Sequence, residues 1–161
     1  MKKYLNASKE NGCIGVIATD DEGKPIEIIL AGTTIYSMPI KYKNEYTDLE
    51  SKKKIHFIFD DFIPQIDFYT VPIIDIFARD NEGFFGTLGT FTDLDDLKAP
   101  ICYINKDKNV FKVADCLREF IFEYEDVNED LWFNQPMEGI TFFNSLEEAK
   151  QQFDFIDIDI F

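Results

Sequence analysis

The sequence has few of the residues that build metal sites and nucleophilic active sites. It holds three cysteines, Cys13, Cys102 and Cys116, without CxxC spacing, and a single histidine, His56. A zinc site needs several Cys and His ligands, and a Cys-His or Ser-His pair would have to use His56, which lies in the apparent strand "KIHFIF". No GxSxG nucleophile elbow is present. We therefore expect no metal site, no cofactor and no nucleophilic catalytic residue, whereas catalysis by a pair of carboxylates stays open because 31 acids make some close pair inevitable.

Long apolar runs are also lacking. No stretch approaches the roughly 18 apolar residues that span a membrane, and Lys2 and Lys3 at the start are not followed by an apolar segment. The odd number of cysteines, with Cys102 and Cys116 among apolar neighbours, is typical of a reducing compartment. The sequence predicts a cytoplasmic protein without an export signal or a membrane contact.

Positive charge is scarce in the second part of the chain. The formal net charge is −15, and residues 1–60 hold nine lysines and nine acids, whereas residues 61–161 hold seven bases and 22 acids. Such a field repels phosphate backbones and attracts basic proteins, so we expect a basic protein partner and no nucleic acid. Acidity that only keeps the domain soluble explains the same charge equally well.

Aromatic residues are abundant, and the chain carries the pattern of an α+β fold. Seventeen Phe, seven Tyr and one Trp supply apolar area for a core, and no repeat or linker divides residues 1–161. β-branched and aromatic runs between turn residues predict strands. The predicted strands cover 13–19, 25–31, 33–40, 67–80, 83–91, 100–104, 109–114 and an edge strand within 153–161.

Two helices are predicted late in the chain. Asp115 stands at an N-cap position, and Leu117 and Phe120 after it share one helix face over residues 115–125. A capping box of Ser145 and Glu148 begins a second helix over 144–153. Residues 41–54 fit either a loop or a short exposed helix. Together these elements predict a single domain with a largely antiparallel twisted sheet and helices on one side.

The segment "GFFGTLGTF" contains three glycines with GxxGxxG spacing, Gly83, Gly86 and Gly89. Loops that hold phosphate end in a helix N-terminus, often after GK[ST], and neither feature follows these glycines. We interpret the glycines as positions where the sheet requires tight turns or a close approach of another strand.

An acidic loop follows at Asp93, Asp95 and Asp96. It resembles the start of a calcium loop, but Lys98 occupies the sixth position, where glycine is required, so turn formation is favoured. Residues 115–131 add seven acids, with aromatic side chains nearby that are typical of protein interfaces. A solvated helix with buried aromatic residues explains this second stretch equally well. The predicted partner-binding residues are Asp93, Asp95, Asp96, Glu119, Phe122, Glu123, Glu125, Asp126 and Trp132.

Residues 68–123 resemble the C-terminal portion of the SMI1/KNR4 (SUKH) superfamily. That family has a "DxxG" strand end with a short "GxL" strand, an acidic loop, a "PIxYI" strand and a "VADSFxEFL" junction between a strand and a helix. The matching residues here are Asp80, Gly83, Gly86, Leu88, Pro100, Ile101, Tyr103, Ile104, Val113, Ala114, Asp115, Leu117, Glu119, Phe120 and Ile121. Cys116 stands where the family commonly has Ser, and the helical start of the family is replaced here by apparent strands.

The resemblance implies a non-enzymatic protein without catalytic residues, commonly a bacterial immunity protein that neutralises a cognate toxin, often a nuclease. On this basis the chain is predicted not to be an enzyme. The acidic composition fits a basic toxin domain as the partner, since opposite charge raises association rates. Two alternatives come from other functional classes: a small carboxylate-based enzyme or ligand-binding domain, and a regulatory or scaffold module.

Overall fold

The strands and helices of the chain form an α+β fold, as predicted. The computed structural model describes residues 2–7, 22–24, 27–92, 99–122 and 136–155. The strands are β1 (Lys2–Asn6), β2 (Glu27–Ala31), β3 (Thr33–Ile35), β4 (His56–Phe57), β5 (Tyr69–Val71), β6 (Ile74–Arg79), β7 (Gly83–Leu88), β8 (Ile101–Asn105), β9 (Val110–Ala114) and β10 (Thr141–Phe143). The helical segments are a 3-10 helix (Ile40–Tyr46), α1 (Thr47–Lys53), α2 (Leu117–Phe122) and α3 (Leu146–Lys150). None of the described helices is long and apolar enough to cross a membrane.

The central sheet has the strand order β3-β6-β7-β8-β9, and β4 also pairs with β6. The four strands from β6 to β9 are antiparallel neighbours, which confirms the predicted strands 83–91, 100–104 and 109–114. The predicted strand 67–80 is divided into β5 and β6, and β5 pairs with β10 in a separate sheet. β3 joins β6 in parallel, so the sheet is mixed. A bulge between Ile76 and Ala78 lets both Phe77 and Ala78 enter the same buried cluster.

The glycines of β7 lie where neighbouring atoms leave no room for a side chain. A Cβ on Gly83 would lie 2.1 Å from the Ile104 carbonyl oxygen, and one on Gly86 would lie 2.6 Å from Cγ2 of Ile74. Gly89 has a φ of +88°, which favours glycine. These positions confirm that the three glycines shape the sheet.

Both faces of the central sheet are covered by apolar residues. On the first face, Phe77 and Phe85 pack with Phe120 of α2, and Tyr46 and Leu49 from the two helical segments of residues 40–53 add to the same cluster. The second face carries Ile74, Ile76, Cys102, Ile104 and Val110, with Ile58 and parts of the 66–68 and 137–142 segments over them. The sequence leaves residues 41–54 as either a loop or a short exposed helix. The structure shows a helix there, since the 3-10 helix and α1 cover residues 40–53.

The start of α2 differs from the prediction. The carboxylate of Asp115, the predicted N-cap, forms an ion pair with Lys112, and the helix begins at Leu117. Lys112 lies in β9, just before α2, and the Asp115 carboxylate pairs with it instead of capping the helix. Leu117 and Phe120 are buried, as the predicted helix face requires.

The start of α3 agrees with the predicted capping box. The Ser145 hydroxyl accepts a hydrogen bond from the Glu148 backbone N–H at 3.2 Å. The Glu148 carboxylate in turn accepts from the backbone N–H of Asn144 at 3.3 Å. α3 packs near β5 and β10 in a third buried cluster.

Two small sheets complete the described part of the fold. β1 and β2 pair in parallel, and β5 and β10 pair in antiparallel. The predicted strand 13–19 lies outside the described residues, and β2, which falls within the predicted strand 25–31, pairs with β1. Of the predicted edge strand, residues 156–161 lie outside the described part, while Phe155 forms a parallel bridge with Tyr4.

Candidate functional site

Most of the predicted acidic contact surface falls outside the part of the chain that the structure describes. The predicted residues outside the described part are Asp93, Asp95, Asp96, Glu123, Glu125, Asp126 and Trp132. Phe122 is the last residue of α2. Glu119 is half-buried, and its carboxylate accepts a hydrogen bond from the backbone N–H of Asp115 at 3.1 Å. The proximity of the nine predicted residues therefore stays a prediction.

Lysines from the first part of the chain contact acids from the second part. Lys3 pairs with Asp154, and Lys43 pairs with Asp61 with 2.7 Å between Nζ and Oδ2. At these two positions, acids from the more acidic part of the chain are therefore paired with lysines from the neutral part. A strongly acidic interface would have to be built from other residues.

A surface that the sequence analysis missed lies at residues 40–63. Among the described residues, the large hydrophobic side chains that are exposed are Ile40 (53%), Tyr42 (39%), Phe62 (60%) and Ile63 (49%). We call these four residues the 40–63 apolar surface. Clustered exposed apolar side chains mark sites of interaction with other proteins, whereas single ones are common on any surface.

Backbone and side-chain contacts hold the two halves of this surface beside each other. Met38 and Phe59 form a parallel bridge just before each half, and the Asp60 N–H donates to the Met38 carbonyl at 2.9 Å. The Ser37 hydroxyl donates to the Asp60 carboxylate at 2.6 Å. Met38 and Phe59 are buried in the core, so each exposed segment follows a residue that is packed in the core.

Charged groups of both signs surround the apolar side chains. The hydrogen bond from Lys43 holds the pKa of the Asp61 carboxyl below its ordinary value of 3.8. The Arg79 guanidinium lies 5.0 Å from the centroid of the Phe62 ring, within the range of a cation–π contact. His56 is exposed on β4 opposite Arg79. Charged side chains thus lie next to exposed apolar ones here, and protein interfaces also combine the two kinds of residue.

A second feature of interest is a row of polar residues on the first face of the central sheet. Thr34 of β3 lies beside Asp75 of β6, and Asp75 lies beside Thr87 of β7, so all three point to the same face. The Thr34 hydroxyl donates to the Asp75 carboxylate at 2.8 Å, and the Thr92 N–H donates to it at 2.6 Å. The Thr92 hydroxyl lies 3.2 Å from that of Thr87. We call Thr34, Asp75 and Thr87 the polar row.

Other groups with chemical potential are occupied or buried. Cys102 is fully buried, and burial raises the pKa of its thiol to about 12, which keeps it protonated and unreactive at neutral pH. Burial also raises the pKa of Tyr69, whose hydroxyl donates to the side chain of Asn6 at 2.9 Å. Within the described ranges, no group of three or more His, Cys, Asp or Glu residues could hold a metal ion.

Comparisons of the chain with models of protein families, with curated proteins and with solved structures found no match. The resemblance to the SMI1/KNR4 superfamily therefore stays a prediction from the quoted motifs.

Proposed function

We propose that this chain is a non-enzymatic protein-binding domain of the immunity type, which neutralises a basic toxin domain in the cytoplasm of the producing cell. The observation that carries the proposal is the 40–63 apolar surface: Ile40, Tyr42, Phe62 and Ile63 are exposed on two segments that the Met38–Phe59 bridge and the Lys43–Asp61 ion pair join. A few side chains, aromatic ones prominent among them, contribute most of the binding energy of protein interfaces.

Charge supports a basic partner for this surface. The net charge of −15 attracts a positively charged domain over several ångströms and raises the rate of encounter. Apolar contacts then slow dissociation, since most differences in affinity between related complexes lie in the dissociation rate. In this proposal the predicted acidic residues steer the toxin domain, and the 40–63 apolar surface holds it.

A ligand-binding domain is the second candidate function. It is favoured by a different observation, namely that the buried carboxylate of Asp75 borders an open cleft of about 460 Å³. The volume falls within the range of about 300–1,000 Å³ that small-molecule sites occupy.

The proposal is tested by copurification with the product of a toxin-like gene adjacent to the one for this chain. We expect a stable complex whose association rate falls as salt concentration rises, because screening weakens steering. The double variant Phe62→Ser and Ile63→Ser should weaken the complex by at least about 100-fold, since interface hot spots contribute about 2 kcal/mol or more each.

Gln65→Ser is the matched control, because Gln65 is exposed two residues beyond the 40–63 apolar surface. This variant should bind like the unaltered chain. A complex that tolerates both serine substitutions and is unaffected by salt would contradict the proposed interface and the role of charge.

A further inference from the structure

Asp75 carries a carboxylate in the interior of the protein. It lies in β6, which pairs with β3, β4 and β7, and only 3% of its surface is exposed. Moving a charge out of water costs several kcal/mol unless the charge is paired with a cation or bound by several donors. The partners of this carboxylate are therefore informative about its role.

The described partners of Asp75 are neutral. One carboxylate oxygen accepts from the Thr34 hydroxyl, and the other accepts from the Thr92 N–H. None of the ion pairs among the described residues includes Asp75. An ionised carboxylate offers about four acceptor sites, so these two hydrogen bonds use about half of its capacity.

Asp75 lines an open cleft. The cleft has a volume of about 460 Å³, and its lining includes Thr34, Tyr36, Asp75, Phe91 and Thr92. Asp75 supplies the only acid among the described lining residues, and none of these residues is basic. Aromatic residues beside a carboxylate suit an organic cation, since the ring faces attract positive charge and pack against its carbon atoms.

We propose that the Asp75 cleft binds a ligand that carries a guanidinium or ammonium group. The N–H donors of the cation would bond to the Asp75 carboxylate, and its carbon chain would pack against Tyr36 and Phe91. The group belongs either to a free small molecule or to an Arg or Lys side chain of a protein partner. This inference stands independently of the proposed immunity function, because it requires only a cation that reaches the cleft.

A purely structural role for Asp75 makes a different prediction. In that role the carboxylate only fixes Thr92 against the sheet by accepting its N–H. Asp75→Asn keeps an acceptor oxygen of the same size at this position and removes the charge. A structural residue should therefore tolerate this change without an effect on the binding of cations, whereas a ligand site should lose affinity.

The test uses NMR titration of the full chain with propylguanidine and with propylurea, its neutral counterpart of nearly equal shape. We expect propylguanidine to shift the backbone amide signals of Thr34, Asp75 and Thr92, and propylurea to leave them in place. Asp75→Asn should weaken the binding of propylguanidine about tenfold or more, because a hydrogen bond to a charged group is stronger than one to a neutral group.

Asp67→Asn serves as the control, because Asp67 is an exposed acid that does not line this cleft. This variant should bind propylguanidine like the unaltered chain. Equal affinity of Asp75→Asn and the unaltered chain, or signals of the cleft that do not respond to propylguanidine, would overturn the proposal. If Asp75→Asn does not fold, the comparison of the two compounds on the unaltered chain decides alone.

A second titration distinguishes the sources of the cation. A tripeptide with blocked ends and a central arginine, acetyl-Gly-Arg-Gly-amide, presents the side chain as a protein partner would. Shifts of the same three amides with this peptide assign the cleft to a protein side chain. Binding of propylguanidine without binding of the peptide assigns it to a free small molecule.

Discussion

Single side chains decide how closely the strands of the central sheet approach each other. Gly83 lies against the Ile104 carbonyl and the Tyr103 ring, and Gly86 lies against the Ile74 side chain. Beside them, the rings of Phe85 and Tyr103 lie 4.8 Å apart between centroids. Because Gly83 and Gly86 have no side chains, β6 and β8 can approach β7 this closely.

Two alanine substitutions separate steric from conformational effects at this scale. Gly83→Ala should lower the free energy of unfolding by about 2–3 kcal/mol, because its Cβ would overlap backbone atoms of β8. Gly89→Ala should cost only about 1–2 kcal/mol, since the left-handed backbone disfavours alanine but no atom lies within 4 Å. Urea unfolding measures both, and a larger loss for Gly89→Ala would contradict this assignment.

The helices of this protein are short, and each depends on its ends and on its packing. Isolated helices below about 12 residues are marginal in water. α3 spans Leu146–Lys150, and its stability rests on the Ser145 cap and on the burial of Ala149. α2 relies on Leu117 and Phe120, which are buried in the core of the central sheet.

Substitutions at the cap test this dependence. Ser145→Ala should destabilise the protein by about 1 kcal/mol, because the Glu148 N–H loses its acceptor. Ser145→Asp is the matched control, since an aspartate at this position retains an acceptor and should keep most of the stability. Thermal unfolding of the two variants gives the comparison, and equal melting temperatures would show that the cap contributes nothing.

Elements with local signals could be predicted from the sequence, and elements that depend on distant partners could not. The hairpin of β8 and β9 and the cap of α3 depend on residues close in sequence. The parallel pairing of β3 with β6 joins residues about 40 positions apart, and no local pattern encodes it. For the same reason, Phe62 and Ile63 resemble the buried Phe57 and Phe59 in sequence and differ from them only through tertiary contacts.

Over the whole molecule, negative charge opposes folding. The net charge is −15, and the exposed ion pair of Lys43 and Asp61 offsets little of it, because solvent screens surface pairs. Self-repulsion among like charges acts against the compact state. Salt should therefore stabilise this protein, since it screens the repulsion.

This expectation is checked by urea unfolding at low and at physiological ionic strength. Between about 0.01 M and 0.15 M salt, the Debye length falls from about 30 Å to about 8 Å, so the midpoint of unfolding should move to higher urea concentration. A double variant, Asp67→Asn with Glu138→Gln, removes two exposed charges and should show a smaller response. A midpoint that falls with salt would mean that attractive pairs outweigh the repulsion.

The polar row has a consequence for how the sheet assembles. Ile74 and Ile76, on either side of Asp75, point to the opposite face, which is lined by isoleucine and valine side chains. If the register of β6 shifted by one residue against β3 and β7, the Asp75 carboxylate would point into that apolar face. There it would lose the hydrogen bonds from Thr34 and Thr92. The misaligned sheet would bury a bare charge at a cost of several kcal/mol. Asp75 therefore favours the observed alignment of β6 with β3 and β7 over one shifted by a single residue.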